Sequence, residues 1–371
     1  MIAWIVLGSI FLLVVSGVLF LYLNPVFGGK ADAQLKERYL QSGHYEGGKF
    51  INLIPTTLGI KTGDYVGLTL DYIKGTPNIE PAGELPVISL DSVNIVPKPD
   101  KPARVTWFGH SAILLELEGK NIFIDPMMGE SPSPLPMIGS KRYGALPIAI
   151  EKLPHLDAVL ISHDHYDHLD YGSILKLKDK VDNFYVPLGV GAHLRAWGVE
   201  AEKVHELNWW DKVTDDEFTF VCAPARHFSG RGILDRDQTL WSSWVIQSPS
   251  QKLFFSGDSG YGPHFKEIGN RFGPFDFAML ECGQYDPRWE AIHMLPEQTV
   301  QAAIDVKTEL MMPIHWGAFT LALHSWTDPV DRAIAKAQEM KVAIATPIIG
   351  EAILLEKETY PNSRWWENVG K

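Results

Sequence analysis

The sequence has little cysteine and no excess of basic charge, and both shortages restrict what the chain can be. Only two cysteines, Cys222 and Cys282, occur among 371 residues. They are too few for a disulfide framework or a thiolate metal site, so we expect both to be small buried hydrophobes. The 33 Lys and Arg are outnumbered by 45 Asp and Glu, giving a formal net charge of −12. We therefore expect no nucleic-acid partner, because such proteins usually carry a basic excess.

The N-terminal segment lacks charge altogether. No charged residue occurs from Ile2 to Asn24, and the run IAWIVLGSIFLLVVSGVLFLYL is long enough, as a helix, to cross a bilayer core of roughly 30 Å. Trp4 and Tyr22 lie near its two ends, where interfacial aromatics occur. The alternatives are a buried core helix and a signal peptide cleaved near Ala31-Asp32-Ala33. The missing basic residue before the run and its length favour an uncleaved single-pass anchor.

The anchor predicts a membrane location, which we expect to be a bacterial inner membrane. Basic residues follow the run at Lys30, Lys36 and Arg38 and none precedes it, which favours a cytoplasmic C-terminal side without fixing the face. We divide the chain into the anchor (1–24), an N-terminal arm that packs on the next domain (25–100), a catalytic domain (101–358) and a C-terminal tail (359–371). We predict no chemistry for the arm, and the chain has no evident internal repeat.

The catalytic domain reads as a long series of short strands with helices between them. Apolar runs bounded by Gly, Asp and Pro predict strands such as DAVLISH (157–163), FTFVCAP (218–224) and FDFAMLE (275–281). Helical patterns cover Pro296–Val306 and Pro329–Met340, each opened by a proline that suits a first helical turn. Strands and helices alternating in one series predict a layered α/β architecture.

A dense metal-ligand pattern directly follows the buried strand DAVLISH. The six residues His163-Asp164-His165-Tyr166-Asp167-His168 include three histidines and two aspartates, which would be costly to bury without a partner. Imidazole and carboxylate together suit zinc and related divalent ions. Because alternate residues of a loop can face the same way, we expect His163 and His165 to share one ion and Asp167 and His168 to reach a second.

Later strand ends supply the further ligands that two ions need. His227 follows FTFVCAP, Asp258 follows KLFFS, and His315 ends ELMMPIH, each at a turn marked by Gly or Pro. The ends of strands are where α/β sheets gather their sites. Taken alone, each of these residues would be interpreted as a structural residue held by hydrogen bonds. Their occurrence together with HDHYDH favours a metal site instead.

This set of motifs resembles the metallo-β-lactamase superfamily of dinuclear hydrolases over residues 104–356. The resemblance implies an αββα four-layer sandwich, preceded here by the membrane helix and the arm. It also implies that His163, His165 and His227 bind one Zn²⁺, that Asp167, His168 and His315 bind the other, and that Asp258 bridges both. Iron or manganese are alternatives to zinc. The true β-lactamases use a cysteine ligand where this chain has Asp258, so antibiotic hydrolysis is not expected as the main role.

Flanking segments are similar to those of the group of N-acylphosphatidylethanolamine-hydrolysing phospholipases D. These segments include WFGHSAILLE, IDPMM, LISHDHYDHLDYGS, FSGDSGYGPHFKEIGNRFGPFD and PIHWGAF. The resemblance implies a phosphodiesterase that releases phosphatidic acid and an N-acylethanolamine-type product.

The chemistry expected of such a site follows from its two ions. They would lower the pKa of a water held between them and polarise a phosphoryl oxygen. We expect Asp258 to take part in proton transfer and His293 to orient the substrate or assist the leaving group, with a structural histidine as the alternative reading of His293. His110 is expected to hydrogen-bond locally, near the metal ligands.

The predicted partners are a phospholipid and the bilayer. Apolar residues Leu135–Ile138 form a candidate entry lip, and Lys141, Arg142 and Arg288 are local basic residues on an otherwise acidic protein. Two other functions stay open: a zinc hydrolase of a small phosphorylated or lactone metabolite, and a non-catalytic metal-binding membrane scaffold. The oligomeric state is also open, with a homodimer as one expectation.

Overall fold

Two mixed β-sheets of seven strands each form the centre of the protein in a computed structural model, which describes residues 2–57, 62–95, 102–137, 139–356 and 359–370. Before the sheets come helices and one hairpin: α1 (Ile2–Leu23), α2 (Ala33–Gln41), β1 (Tyr45–Glu46), β2 (Lys49–Phe50) and α3 (Thr62–Lys74). The side chains of Trp4–Leu23 in α1 are exposed or half-buried, and this stretch is long and apolar enough to cross a membrane.

The strands of the two sheets follow in chain order. They are β3 (Arg104–Trp107), β4 (Ile113–Leu117), β5 (Lys120–Ile124), β6 (Leu156–Leu160), β7 (Val181–Pro187), β8 (Val204–Leu207), β9 (Lys212–Asp215), β10 (Phe218–Ala223), β11 (Ser243–Gln247), β12 (Lys252–Phe255), β13 (Phe275–Glu281), β14 (Thr308–Ile314), β15 (Ala343–Ile344) and β16 (Ala352–Leu354). The helices among them are α4 (Tyr171–Leu177), α5 (Val190–Ala196), α6 (His264–Arg271), α7 (Pro296–Val306) and α8 (Asp328–Met340).

The two sheets have matching strand patterns. The first has the order β16-β3-β4-β5-β6-β7-β8 and the second β15-β14-β13-β12-β11-β10-β9. In each, antiparallel strands at one side pass into four parallel strands at the other, β5 to β8 in the first and β12 to β15 in the second. Parallel strands that are covered on both faces read as continuous apolar runs, which is why DAVLISH and FDFAMLE lack polar alternation.

Successive residues of one strand belong to different hydrophobic cores. In β6, Ala158 and Leu160 point into the core between the two sheets, whereas Val159 joins the core beneath α4 and α5. In β12, Leu253 and Phe255 point into the same central core, and the other face of the second sheet is covered by α6, α7 and α8. This alternation gives four layers, so the predicted αββα sandwich is confirmed.

Both ends of the chain contribute to the central core. Tyr39 and Phe50, from the segment predicted as an arm, are buried there. Trp365 and Trp366, close to the C-terminus, are also buried, with ring centroids 5.7 and 5.4 Å from the indole of Trp316. The segment predicted as a tail thus packs directly against the residue that follows His315.

Candidate metal centre

The predicted ligands converge because their strands end at the same edge of the two sheets. The loop after β6 carries the HDHYDH residues, and His165 accepts backbone hydrogen bonds from the N–H groups of His168 and Leu169, which turn the chain back. The ends of β10, β12 and β14 lead to His227, Asp258 and His315. The structure therefore brings together all seven residues that the sequence predicted as ligands, in two adjoining groups.

The first group consists of three imidazoles and a carboxylate. His163 Nε2 lies 2.9 Å from His165 Nδ1, and His165 Nδ1 lies 3.2 Å from His227 Nε2. Asp258 Oδ2 lies 3.8 Å from the Nε2 atoms of His163 and His227. All four ligand atoms thus lie within 4.8 Å of one another.

The second group shares the same carboxylate. Asp258 Oδ2 lies 3.2 Å from His168 Nε2 and 3.1 Å from His315 Nε2. Asp167 Oδ2 completes the group at 3.2 Å from His315 Nε2 and 3.5 Å from His168 Nε2. One carboxylate therefore lies between two groups of ligand atoms, as a dinuclear site requires.

The spacing and the hydrogen bonding of these atoms fit divalent ions. Nitrogen ligands about 2.0–2.1 Å from a tetrahedral zinc are about 3.3 Å apart, close to the separations within the first group. Within the described part of the chain, His168 Nε2 and Asp258 Oδ1 are buried without a hydrogen-bond partner. Buried polar atoms are rarely left unpaired, so these two are suited to a ligand that a cation would supply.

A second set of contacts fixes the imidazole rings. Asp125 at the end of β5 accepts from His168 Nδ1 at 2.7 Å, from the Ser162 amide at 2.7 Å and from the Ser162 hydroxyl at 2.6 Å. His227 Nδ1 donates to the Ile292 carbonyl at 2.9 Å. These contacts place the proton on Nδ1 and leave Nε2 of His168 and His227 free to bind a metal.

Electrostatics favour a cation at the shared carboxylate. Burial lowers the pKa of His163 and of His227, and neighbouring imidazoles add to this, so both rings are neutral as metal binding requires. Burial alone would raise the pKa of Asp258, but His168 and His315 hold it well below its usual range. Burial also opposes protonation of His315, yet nearby carboxylates, chiefly that of Asp258, raise its pKa to about 10.

His110, His293 and Glu281 also lie next to the ligands. His110 Nε2 lies 2.9 Å from Asp167 Oδ2, the local hydrogen bond expected from the sequence. His293 has a polar side-chain atom within 4.8 Å of those of Asp258 and His315, and its Nδ1 contacts the buried Glu281. Glu281 also accepts from the Ser259 amide at 2.7 Å. Neither Asp125 nor Glu281 was predicted as a site residue. A single acidic residue at a strand end indicates a site only when other evidence points to it, as the superfamily resemblance does for Asp258.

The arm forms one wall of a cleft beside the centre. This cleft of about 400 Å³ is lined by arm residues 50–56 and, on the other side, by His227, Phe228, Arg236, Asp237, Trp241 and Ile292. Asn52 brackets His227, donating to its carbonyl at 2.8 Å and accepting from its amide at 3.1 Å. The arm therefore supports a predicted ligand, although no chemistry was expected of it.

The described residues of the predicted entry lip are exposed, but the two arginines expected to assist lipid contact are bound to other groups of the protein. Leu135 and Met137 are exposed, while Ile138 lies outside the described residues. Arg142 Nη2 donates to the Met127 carbonyl at 2.7 Å and Arg142 Nε donates to the Gly129 carbonyl at 3.1 Å. These two nitrogens are therefore bound to backbone carbonyls of the protein itself. Arg288 pairs with Asp286 and Asp71, which neutralises it.

The other sequence-based expectations concern the core. Cys222 and Cys282 are free and buried, as predicted. Trp209 is buried and donates through Nε1 to the Trp241 carbonyl at 2.6 Å, whereas Trp210 is half-buried.

Comparisons with known proteins agree with this geometry. The family model of the beta-lactamase superfamily domain matches residues 120–316. An uncharacterized protein of Mycobacterium tuberculosis is 40% identical over 338 residues, covering 90% of each chain. The N-acyl-phosphatidylethanolamine-hydrolyzing phospholipase D 1 of Caenorhabditis elegans is 35% identical over 228 residues, 58% of this chain and 64% of that protein. Igni18, a solved metallo hydrolase from the archaeon Ignicoccus hospitalis, superposes with a TM-score of 0.54 at 20% identity, covering 68% of this chain and 97% of that chain.

These findings confirm the resemblance seen in the motifs, both to the superfamily and to the phospholipase group. The superfamily match covers more than half of the chain and includes the HDHYDH loop, His227, Asp258 and His315. With its His and Asp clusters, the protein is a metal-dependent hydrolase with a dinuclear site for divalent ions. The chain belongs to the metallo-β-lactamase superfamily.

Proposed function

We propose that the protein is a membrane-anchored dinuclear zinc phosphodiesterase that hydrolyses N-acylphosphatidylethanolamine-like glycerophospholipids in the manner of a phospholipase D. The observation that carries the proposal is the position of Asp258 Oδ2, within 3.8 Å of four imidazole nitrogens that belong to two ligand groups. The similarity to the phospholipase D of Caenorhabditis elegans supports the choice of substrate.

In this proposal each predicted ligand has a defined role. His163, His165 and His227 would hold one ion, Asp167, His168 and His315 the other, and Asp258 would bind both. When bound, two divalent ions supply Lewis-acid polarisation of a phosphoryl oxygen and activation of the attacking water. Asp125 keeps His168 in the required tautomer, and His110 orients Asp167 through the contact between their side chains.

His293 is assigned to the leaving group. Glu281 contacts its Nδ1 and thereby fixes the ring, and His293 Nε2 is the atom left to act on a substrate. We propose that His293 delivers a proton to the alcohol oxygen of the N-acylethanolamine as its bond to phosphorus breaks. The oxygen of water remains on phosphorus, so the products are phosphatidic acid and an N-acylethanolamine.

The cleft and α1 support a lipid substrate. Ile51, Leu53, Ile54, Pro55 and Phe228 line the cleft next to His227, which provides apolar walls for acyl chains. The exposed apolar surface of α1 is suited to a bilayer, and we propose a single-pass anchor in a bacterial inner membrane. Because the net charge is −12, attraction to an anionic bilayer cannot come from the protein as a whole.

The decisive experiment compares substrates on the purified full-length protein. Its metal content is measured first, and then hydrolysis of N-acylphosphatidylethanolamine in detergent is compared with that of a soluble lactone and a soluble phosphodiester. We expect two zinc ions per chain and clear preference for the lipid, with activity lost on chelation and restored by zinc. Finding iron or manganese instead of zinc would change the identity of the metal in the proposal and leave the proposed reaction unchanged.

A matched pair of histidine variants makes the result specific. His165→Ala removes a predicted ligand and should abolish turnover, while His155→Ala changes an exposed histidine that pairs with Asp182 and should leave turnover unchanged. Turnover of the soluble esters without the lipid would support the small-metabolite hydrolase instead. Full zinc occupancy with no chelator-sensitive hydrolysis of any ester would support the non-catalytic scaffold.

A further inference from the structure

Two large aliphatic side chains are exposed at the end of a loop beside the cleft. Ile233 and Leu234, which we call the apolar tip, are 75% and 85% exposed. The loop runs from Arg231 to Arg236, between the strands β10 and β11. Exposing two adjacent aliphatic side chains to water is unfavourable, so the tip suits an apolar environment outside the protein.

The loop is held in a defined shape that projects this tip. Asp235 accepts from the Arg231 amide at 3.1 Å and from the Gly232 amide at 2.7 Å, which closes the turn. Gln238 Nε2 donates to the Leu234 carbonyl at 3.1 Å. The exposure of the tip is therefore set by hydrogen bonds at its base.

Arg231 connects this loop to the end of α1. Its Nε donates to the Val26 carbonyl at 3.0 Å, only three residues beyond Leu23, the last residue of the helix. Three residues span at most about 11 Å of chain, and the two from Arg231 to Ile233 at most about 7 Å. The apolar tip is thus held near the end of the candidate membrane helix.

The chain leaving α1 is fixed rather than loosely tethered. Trp197 Nε1 donates to the Pro25 carbonyl at 2.7 Å. A Cβ added at Gly29 would lie 2.2 Å from the Ala192 carbonyl oxygen, so the backbone packs directly on α5. This docking keeps the end of α1 and the loop in one arrangement.

The side chains at the end of α1 are those expected at a membrane–water interface. Tyr22 is 70% exposed, and Lys30 Nζ lies 5.1 Å from the centroid of its ring. Aromatic and basic side chains commonly mark the headgroup level of a bilayer. That level is therefore close to Val26, the residue that Arg231 contacts.

The same loop leads into the metal cleft. Arg236 and Asp237, two and three residues beyond Leu234, line the cleft together with His227. A surface that contacts the tip would consequently lie next to the opening of the cleft.

We propose that the apolar tip inserts into the same phospholipid bilayer as α1 and forms a second membrane contact, which sets the cleft against the lipid surface. The proposal rests on the membrane location in the proposed function. One flexible contact would allow the catalytic domain to rotate on its anchor. Two contacts fix its orientation, so that a lipid headgroup leaving the bilayer meets the metal centre.

A site-specific quenching experiment tests the insertion without relying on catalysis. Leu234→Cys in the full-length protein is labelled with an environment-sensitive fluorophore and reconstituted in vesicles of phosphatidylethanolamine and phosphatidylglycerol that contain lipid-attached quenchers. The two native cysteines are buried and should not react in the folded protein. The matched control is Ile304→Cys, a 40% exposed residue in the last turn of α7, which leads into the start of β14, the end of that strand opposite His315.

We expect strong quenching and a blue-shifted emission at position 234 and neither at position 304. Equal, water-like emission from both positions would overturn the proposal. Cross-linking of Leu234→Cys between two copies without lipid quenching would also overturn it, because the tip would then be a contact between subunits.

A double variant tests the orienting role. Ile233→Asp with Leu234→Asp should lower hydrolysis of vesicle-embedded lipid by at least about tenfold, the factor expected when the burial of even one aliphatic side chain is lost. Turnover of a short-chain substrate dispersed as monomers should not change, and unchanged vesicle hydrolysis would contradict the orienting role. If the wild-type protein hydrolyses no phospholipid, the proposed function fails, whereas quenching at position 234 still decides the insertion.

Discussion

Replacement of Asp125 by Asn is the sharpest test of how this fold builds its metal centre. Asp125 is fully buried and accepts three hydrogen bonds, two from Ser162 and one from His168 Nδ1. Asn has nearly the same volume, so it creates no cavity. It removes the negative charge and turns one acceptor oxygen into a donor, which faces another donor in at least one of these contacts.

The expected loss of metal affinity follows from that mismatch of donors. A hydrogen bond to a charged group contributes about 1.5–3 kcal/mol, and an unsatisfied buried donor costs a similar amount. Loss of a contact that orients a ligating histidine typically lowers metal affinity by about 10–100-fold, which corresponds to about 1.4–2.7 kcal/mol. The two ranges agree, so we expect a fall of this size at the ion bound by His168 and a smaller effect at the other ion.

The assay is zinc titration of metal-free protein in competition with a chromophoric chelator. Asp157→Asn is the matched control, because Asp157 accepts from the Asn121 amide at 2.8 Å near the surface, remote from the ligands. If folded Asp125→Asn binds both equivalents as tightly as the control, the inference that Asp125 positions His168 is wrong.

Three further predictions concern protons, the leaving group and the arm. The pKa of His315, raised to about 10 in the metal-free protein, means that its proton must leave on metal binding, so zinc affinity should rise by up to about tenfold per pH unit below that value. His293→Ala should lower lipid turnover by about 10²–10⁴-fold at full zinc content. Asn52→Ala, which removes both hydrogen bonds to the His227 backbone, should lower the free energy of unfolding by about 1–3 kcal/mol in denaturant titrations.

Each of these predictions has a contrary outcome. Zinc affinity that does not vary with pH would mean that His315 is already neutral. The same raised pKa also affects the stability of the metal-free protein. Protonated His315 should stabilise the fold fully below its ordinary pKa of 6.5, and that stabilisation should disappear as the pH rises through about 10. Full turnover by His293→Ala would remove that residue from the mechanism, and unchanged stability of Asn52→Ala would show that the arm does not support His227.

The ligands of the metal centre were predictable because their signals are local. HDHYDH places five ligand-type side chains in six residues after an apolar strand, and His227, Asp258 and His315 each follow another. The fold was predictable for a similar reason, since strand and helix periodicity is contained within short windows. Helix α7, for example, begins and ends at the residues that the pattern predicts, Pro296 and Val306.

The supporting residues were not predictable because their roles arise only in three dimensions. Asp125 reaches His168 because β5 pairs with β6 in parallel, and nothing near Asp125 in the sequence indicates that register. Glu281 is the last residue of an apolar strand and meets His293 across a loop. Asn52 contacts a backbone 175 residues away. The ligands can be read from a sequence pattern, but the contacts that orient them depend on how distant segments pack.

The burial of Trp365 and Trp366 couples a segment outside the two sheets to the metal centre. Both indoles pack on Trp316, which directly follows the ligand His315. Truncating the two side chains to Ala would leave a cavity beside Trp316, and the backbone that carries His315 would lose part of its packing. A metal ligand of this protein therefore depends on side chains that never approach the ion.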